Sequence, residues 1–76
     1  MQKIINLQDT FLTRARRLKS SVTVFLMNGY QLRGVITGFD SFIVVLMTES
    51  KQQIIYKHAI STIIPEHAIA LEEDGD

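Results

Sequence analysis

Val22-Thr23-Val24-Phe25-Leu26-Met27-Asn28-Gly29 is the stretch whose reading decides the fold. Its first six residues are β-branched, aromatic or long apolar side chains, which pack well on a pleated surface. Asn28-Gly29 is the strongest short-range hairpin signal, because a type I′ turn needs positive φ at both central positions. Tyr30 to Phe39 is the returning strand. Within it Gly34 and Gly38 mark sharp bending or close backbone approach, the device by which a small sheet curls. Alternation sets Val22, Val24 and Leu26 on one face and Thr23, Phe25 and Met27 on the other. If the valines and Leu26 point inward, Phe25 and Tyr30 stand on an outer surface, where either subunit packing or base stacking accounts for them.

Downstream, Asp40-Ser41 reads as a second turn, Phe42 to Thr48 as a third strand, Glu49-Ser50-Lys51 as a third turn, and Gln52 to Tyr56 as a fourth strand. The run Tyr56-Lys57-His58-Ala59-Ile60-Ser61 then forms a corner, with Ile60, Ile63 and Ile64 making a fifth strand before Pro65, the only proline. An aromatic ring, a lysine and an imidazole on adjacent residues bring stacking, phosphate attraction and hydrogen bonding into one small volume, as a nucleotide pocket requires. The competing reading is a solvated turn.

Upstream, Asn6 caps a helix that starts near Leu7 and runs to about residue 19, with Asp9 favouring the exposed N–H groups of its first turn. Leu7, Phe11, Ala15 and Leu18 recur at helical spacing, flanked by Leu12, so the helix lies on something. Arg14, Arg16, Arg17 and Lys19 crowd its last turns. They suit the negative end of the helix dipole, and four cations in so short a stretch also form a patch that attracts phosphates. One helix followed by five short strands with tight turns makes a mainly β, strongly bent small barrel.

The chain has 76 residues, 46% of them hydrophobic, which leaves room for one small core. A chain of this size buries only about 60% of its unfolded surface. With no cysteine to form disulfides, it is expected to gain stability from an oligomer. The absence of cysteine also fits a reducing compartment. No apolar run approaches the roughly 20 residues of a membrane helix, and Met1-Gln2-Lys3 lacks a signal-peptide pattern, so a cytoplasmic protein is expected. The net charge of zero joins two unlike parts: residues 1–64 hold eight Lys and Arg against three acids, +5, and residues 65–76 hold five acids, −5. This asymmetry suggests a polyanion-binding body with an interaction tail, or a tail that only aids solubility.

An enzyme needs a nucleophile with an oriented base, or paired acids. Asp9, Asp40 and Glu49 fall on three separate elements, each with a capping or turn role, so no catalytic residue and no cofactor are expected. His58 and His67 are the only histidines and lack ligand spacing, so no metal is expected. The alternative to a nucleic-acid binder is a small barrel that binds a protein peptide.

Asn6-Leu7-Gln8-Asp9, the run Val22 to Gly29 with Leu32 and Gly34, Gly38-Phe39-Asp40, and above all Tyr56-Lys57-His58-Ala59-Ile60-Ser61-Thr62 resemble the Hfq family of bacterial Sm-like RNA chaperones. The resemblance implies an Sm-like (SH3-like) barrel over residues 1–65, a short acidic tail over 66–76, and a homo-hexameric ring whose edge strands pair between subunits. It also implies two RNA-binding faces and a basic rim. The proximal, uridine-binding face would use Gln8, Ser41, Phe42, Tyr56, Lys57 and His58, with Ser41 standing where the family usually has a longer polar side chain. The distal, purine-binding face would use Phe25, Gly29, Tyr30, Gln31, Leu32, Gln53 and Thr62, with Gln52 the substitute if the longer third turn shifts the register. Arg14, Arg16, Arg17 and Lys19 would form the rim, and the acidic end would compete with RNA for it. The implied role is to bring a small regulatory RNA and a messenger RNA together for annealing, as in post-transcriptional control and stress response.

Overall fold

The computed structural model describes residues 6–71. The acidic run of residues 72–76 lies outside the described residues. Helix α1 (Leu7–Leu18) precedes strands β1 (Ser21–Leu26), β2 (Gln31–Phe39), β3 (Ile43–Thr48), β4 (Lys51–Tyr56) and β5 (Ile60–Pro65), with one 3₁₀ turn, Lys57–Ala59, between the last two. All neighbouring strands are antiparallel, in the order β4-β3-β2-β1-β5.

The bend comes from β2. Its first part, Gln31 to Val35, pairs with β1, and its second part, Val35 to Phe39, pairs with β3. One strand thus serves two halves of the sheet, and the register shift between Ile36 and Gly38 lets it turn the corner. The sheet folds over a core of Leu12, Ala15, Val22, Val24, Ile36, Val44, Leu46 and Ile55. Each large aliphatic residue buried there contributes about 1.5–3 kcal/mol relative to exposure. The end strands β4 and β5 do not pair with each other, so the bent sheet stays unclosed.

Gly34 leaves no room for a side chain against β3: a Cβ there would sit 2.3 Å from the Met47 carbonyl oxygen. Gly38 marks the bulge instead, with only ordinary van der Waals contact available to a Cβ.

Helix α1 is capped as its sequence dictates. Asn6 Oδ1 accepts the Asp9 N–H at 3.1 Å. At the other end Lys19 takes φ 52°, and the N–H groups of Lys19 and Ser20 reach the carbonyls of Arg16 and Ala15. The buried stripe is shorter than its periodicity implies. Leu12 and Ala15 are fully buried and Phe11 partly, whereas Leu7 and Leu18 are exposed, because only the middle of the helix lies on the mouth of the sheet.

Of the two faces that alternation separated on β1, the one with Val22 and Val24 is the core face. The hairpin turn differs from the type I′ expectation. The Gly29 N–H bonds to Leu26 O and the Leu26 N–H to Tyr30 O, and of the turn residues Gly29 alone takes positive φ, 94°. Asn28 instead accepts the Tyr30 N–H with its side chain at 3.0 Å, which gives a three-residue loop closed by a glycine bulge. The third turn is also shorter than expected. Lys51 pairs with Thr48 in the ladder, and Glu49 at φ 50° takes the strained position.

Candidate nucleic-acid interface

On the helix side, the 3₁₀ turn after β4 brings Lys57 beneath the first turn of α1. Its Nζ stands 4.0 Å from Asp9 Oδ1, and its side chain is largely covered. Gln8 and Lys57 line one groove of about 400 Å³ with apolar walls from Leu7, Phe11, Ile60 and Ile63, in the size range of a small-ligand cleft. Phe42 borders this region with 74% of its surface exposed, and its carbonyl accepts the Lys57 N–H at 2.8 Å. Tyr56 and His58 are exposed and stack on each other, with centroids 5.7 Å apart. Ser41 is exposed in the turn between β2 and β3.

Asp40 builds that turn. Its carboxylate accepts the N–H groups of Phe42 at 2.7 Å and Ile43 at 2.9 Å. These two bonds, the Phe42 one foremost, hold its pKa below the usual 3.8, and Lys57 adds to the effect. A carboxylate with two backbone donors fixes the loop, so Phe42 is presented outward and β3 begins at Ile43, one residue later than expected. The sequence reading treated Asp40 as a turn former alone; the Asp-x-Phe spacing was the available signal that it also orients an aromatic.

On the hairpin side the registers set Gln31, Phe25 and Thr62 side by side across β2, β1 and β5. Directly paired residues share a face, so these three form one rung on the outer side. Phe25 is half-buried, whereas Tyr30 at the hairpin tip is 69% exposed. Leu32 pairs with the buried Val24 and faces the inner side, at its margin. Gln53 lines a shallow groove together with Gln31, Leu32, Arg33, Thr48 and Lys51, and donates to Thr48 Oγ1 at 3.2 Å. Gln52 pairs with Met47 on the opposite face of β4 and is absent from that groove. The structure therefore groups Gln53, and not Gln52, with Gln31 and Leu32. Thr62 also borders the Gln8–Lys57 groove, so the two regions meet at β5.

The helix cations do not form one uniform patch. Arg16, Arg17 and Lys19 are exposed, but Arg14 is half-buried and donates through Nη1 to the Ala70 carbonyl. Arg16 Cζ lies 5.8 Å from the centroid of the Phe39 ring. Among the described residues, no group of three His, Cys, Asp or Glu could hold a metal ion, and no helix is long and apolar enough to cross a membrane.

Comparison with known proteins places this geometry. The family model described as Hfq protein matches residues 7–70. The chain is 56% identical over 72 residues to the RNA-binding protein Hfq of Bacillus cytotoxicus, spanning 95% of this chain and 97% of that protein. It is 54% identical over the same length to the RNA-binding protein Hfq of Bacillus thuringiensis. Among solved structures, a 1.55 Å crystal structure of "the pleiotropic translational regulator, Hfq" superposes with a TM-score of 0.76 at 46% identity, covering 78% of this chain and 98% of that one. With the helix, the bent five-stranded sheet and the Tyr56–Thr62 corner all in place, this chain belongs to the Hfq family.

Proposed function

We propose that this protein is an RNA-binding chaperone that works as a ring of six, holds a small regulatory RNA and a messenger RNA on different faces, and promotes their annealing without covalent chemistry. One observation supports the reading: the Gln8–Lys57 groove under the helix and the Gln31–Phe25 side of the hairpin lie on different parts of one small chain and meet only at Thr62 on β5. The relatives' description as RNA-binding proteins supports the ligand class.

In the proximal site Phe42 stacks on a uracil, Lys57 and His58 hydrogen-bond the base and attract phosphate, Gln8 contributes from the helix, and Tyr56 and Ser41 border the pocket. In the distal site Phe25 and Tyr30 stack on purines, Gln53 and Gln31 read base edges, and Gly29, Leu32 and Thr62 shape the surface. Arg16, Arg17 and Lys19 form the rim, with Arg14 behind them. Two RNAs on one particle meet at high effective concentration, and rim cations screen their phosphates.

The free edges of the sheet support the ring. β4 and β5 each leave one edge unpaired, and exposed Ile54, Tyr56 and Ile64 lie on them. Edges of this kind invite pairing with another copy, and a closed cyclic arrangement satisfies every one. The Sm-like unit is residues 1–65 with the tail beyond it, and the site of action is the cytoplasm, where both RNAs are.

The test is to titrate the full-length protein with oligouridine and oligoadenosine, separately and together, while light scattering reports mass. The expected result is a particle of about six times 8.7 kDa that binds both at once. A stable monomer, or displacement of one oligomer by the other, would sink the reading. Changing Arg16 and Arg17 to Ala should slow the annealing of two complementary RNAs and flatten its salt dependence, leaving short oligomers bound. Protein purified without excess absorbance at 260 nm that captures peptides instead would favour the peptide-binding alternative.

A further inference from the structure

Among the described residues, Phe39 is the one aromatic side chain that carries two cations. Arg16 Cζ and Lys57 Nζ each lie 5.8 Å from its ring centroid, within the reach of a cation–π contact. The two come from different elements, Arg16 from the last turn of α1 and Lys57 from the 3₁₀ turn after β4. Phe39 ends β2 and is packed against the core, opposite buried Val44. Its ring is therefore a fixed platform, while both cations sit at the ends of long, flexible side chains.

From this geometry we infer that Phe39 is a positioning residue that sets the resting places of a rim cation and a pocket cation together, and so couples the two surfaces. The inference deepens the function proposed above and rests on it for the roles of Lys57 and Arg16. A flexible lysine or arginine loses rotamer freedom when it engages a phosphate or a base. A ring that already restricts both side chains removes part of that cost in advance. Lys57 is held from two sides, by the ring and by Asp9; Arg17, next to Arg16 on the helix, makes no cation–π contact with this ring among the described residues. Because the two cations draw on one ring's quadrupole and repel each other, moving either one changes what the other experiences. By linkage the effect runs in both directions.

The test uses the full-length protein and two readouts. In the RNA-free protein, NMR of the arginine Nε–Hε groups should show the Arg16 resonance displaced by the ring current and shifted again by Lys57→Met, with Arg17 unmoved in both cases. Phe39→Leu should abolish the displacement and weaken oligouridine binding about two- to five-fold, which corresponds to about 0.5–1 kcal/mol for one exposed contact. Leucine also changes packing, so phenylalanines carrying one, two and three ring fluorines at position 39 provide the second series. Fluorination drains the ring face with little change of shape, and oligouridine affinity should fall stepwise with fluorine number. Affinity flat along that series, or Arg16 and Arg17 responding alike to Lys57→Met, would overturn the inference. Failure of the unaltered protein to bind oligouridine would refute the proximal site itself, and the RNA-free Arg16 signal would still decide whether the ring couples the cations.

Discussion

Replacing Gly34 with Ala puts a methyl carbon 2.3 Å from Met47 O, 2.9 Å from Met47 C and 3.0 Å from Thr48 Cγ2. A carbon–oxygen contact relaxes at about 3.3 Å, so β2 and β3 must separate by about 1 Å. The obstacle is backbone, and no side-chain rotation relieves it. Overpacking costs about 1–3 kcal/mol, and this case belongs at the upper end because the ladder beside Val35 and Met47 is strained as well. At about 4–8 °C per kcal/mol in a domain of this size, Tm should fall by about 12–24 °C, compared at equal chain concentration because assembly adds to stability. The functional consequence is local. Gln31 lies on β2 and Gln53 on β4, with β3 between them, so prying β2 from β3 separates the two glutamines. Oligoadenosine binding should weaken more than oligouridine binding. Gly38→Ala is the matched control, since its Cβ would meet only the Val45 side chain, at 3.8 Å from Cγ2 and 4.0 Å from Cβ, and it should stay within about 1 kcal/mol of the parent. Thermal melts and paired titrations decide the matter: a Gly34→Ala protein melting with the parent, or equal losses at Gly34 and Gly38, would refute the steric argument.

Lys57→Ala should weaken oligouridine binding by about 1–3 kcal/mol, the scale of a lost charge-assisted hydrogen bond, with oligoadenosine nearly unaffected in the same titration; equal weakening of both would mark a general charge effect. Tyr30→Ala should cost about 1–3 kcal/mol of purine-rich RNA binding per stacked base with the particle mass unchanged, and dissociation of the particle would assign the ring to packing. Asp40 has its folded pKa depressed below 3.8, so the stability it contributes is complete above its unfolded pKa and lost as pH falls through the lower folded value. Acid unfolding monitored below about pH 4 should therefore be shallower in Asp40→Asn, and an unchanged acid limb would show that the carboxylate does not hold the turn.

Local chemistry was legible in the order of residues. The helix from Leu7, the Asn6 cap and the Asp40 turn rest on contacts within a few positions, the five strands were marked by residue type between turn signals, and alternation narrowed the buried face of β1 to one of two. The Tyr56–Thr62 run carried the family resemblance for the same reason, as a contiguous motif. Where the reading missed, the competing contact was close at hand but invisible in the pattern: Asn28 satisfied the Tyr30 amide with its side chain, which left Gly29 as the one turn residue at positive φ.

What depended on tertiary structure was every relation between elements. Periodicity alone could not show that only the middle of α1 rests on the sheet, leaving Leu7 and Leu18 in solvent. Nor could it show which of Gln52 and Gln53 shares a groove with Gln31, because a one-residue difference in a turn reverses the face of each side chain, and only the observed pairing with Met47 and Leu46 sets that register. The division among the helix cations is also long-range: Arg14 is taken by Ala70 and Arg16 by Phe39. Neighbours along the helix have nearly identical chemistry, and what separates them is which distant residue the fold brings within reach.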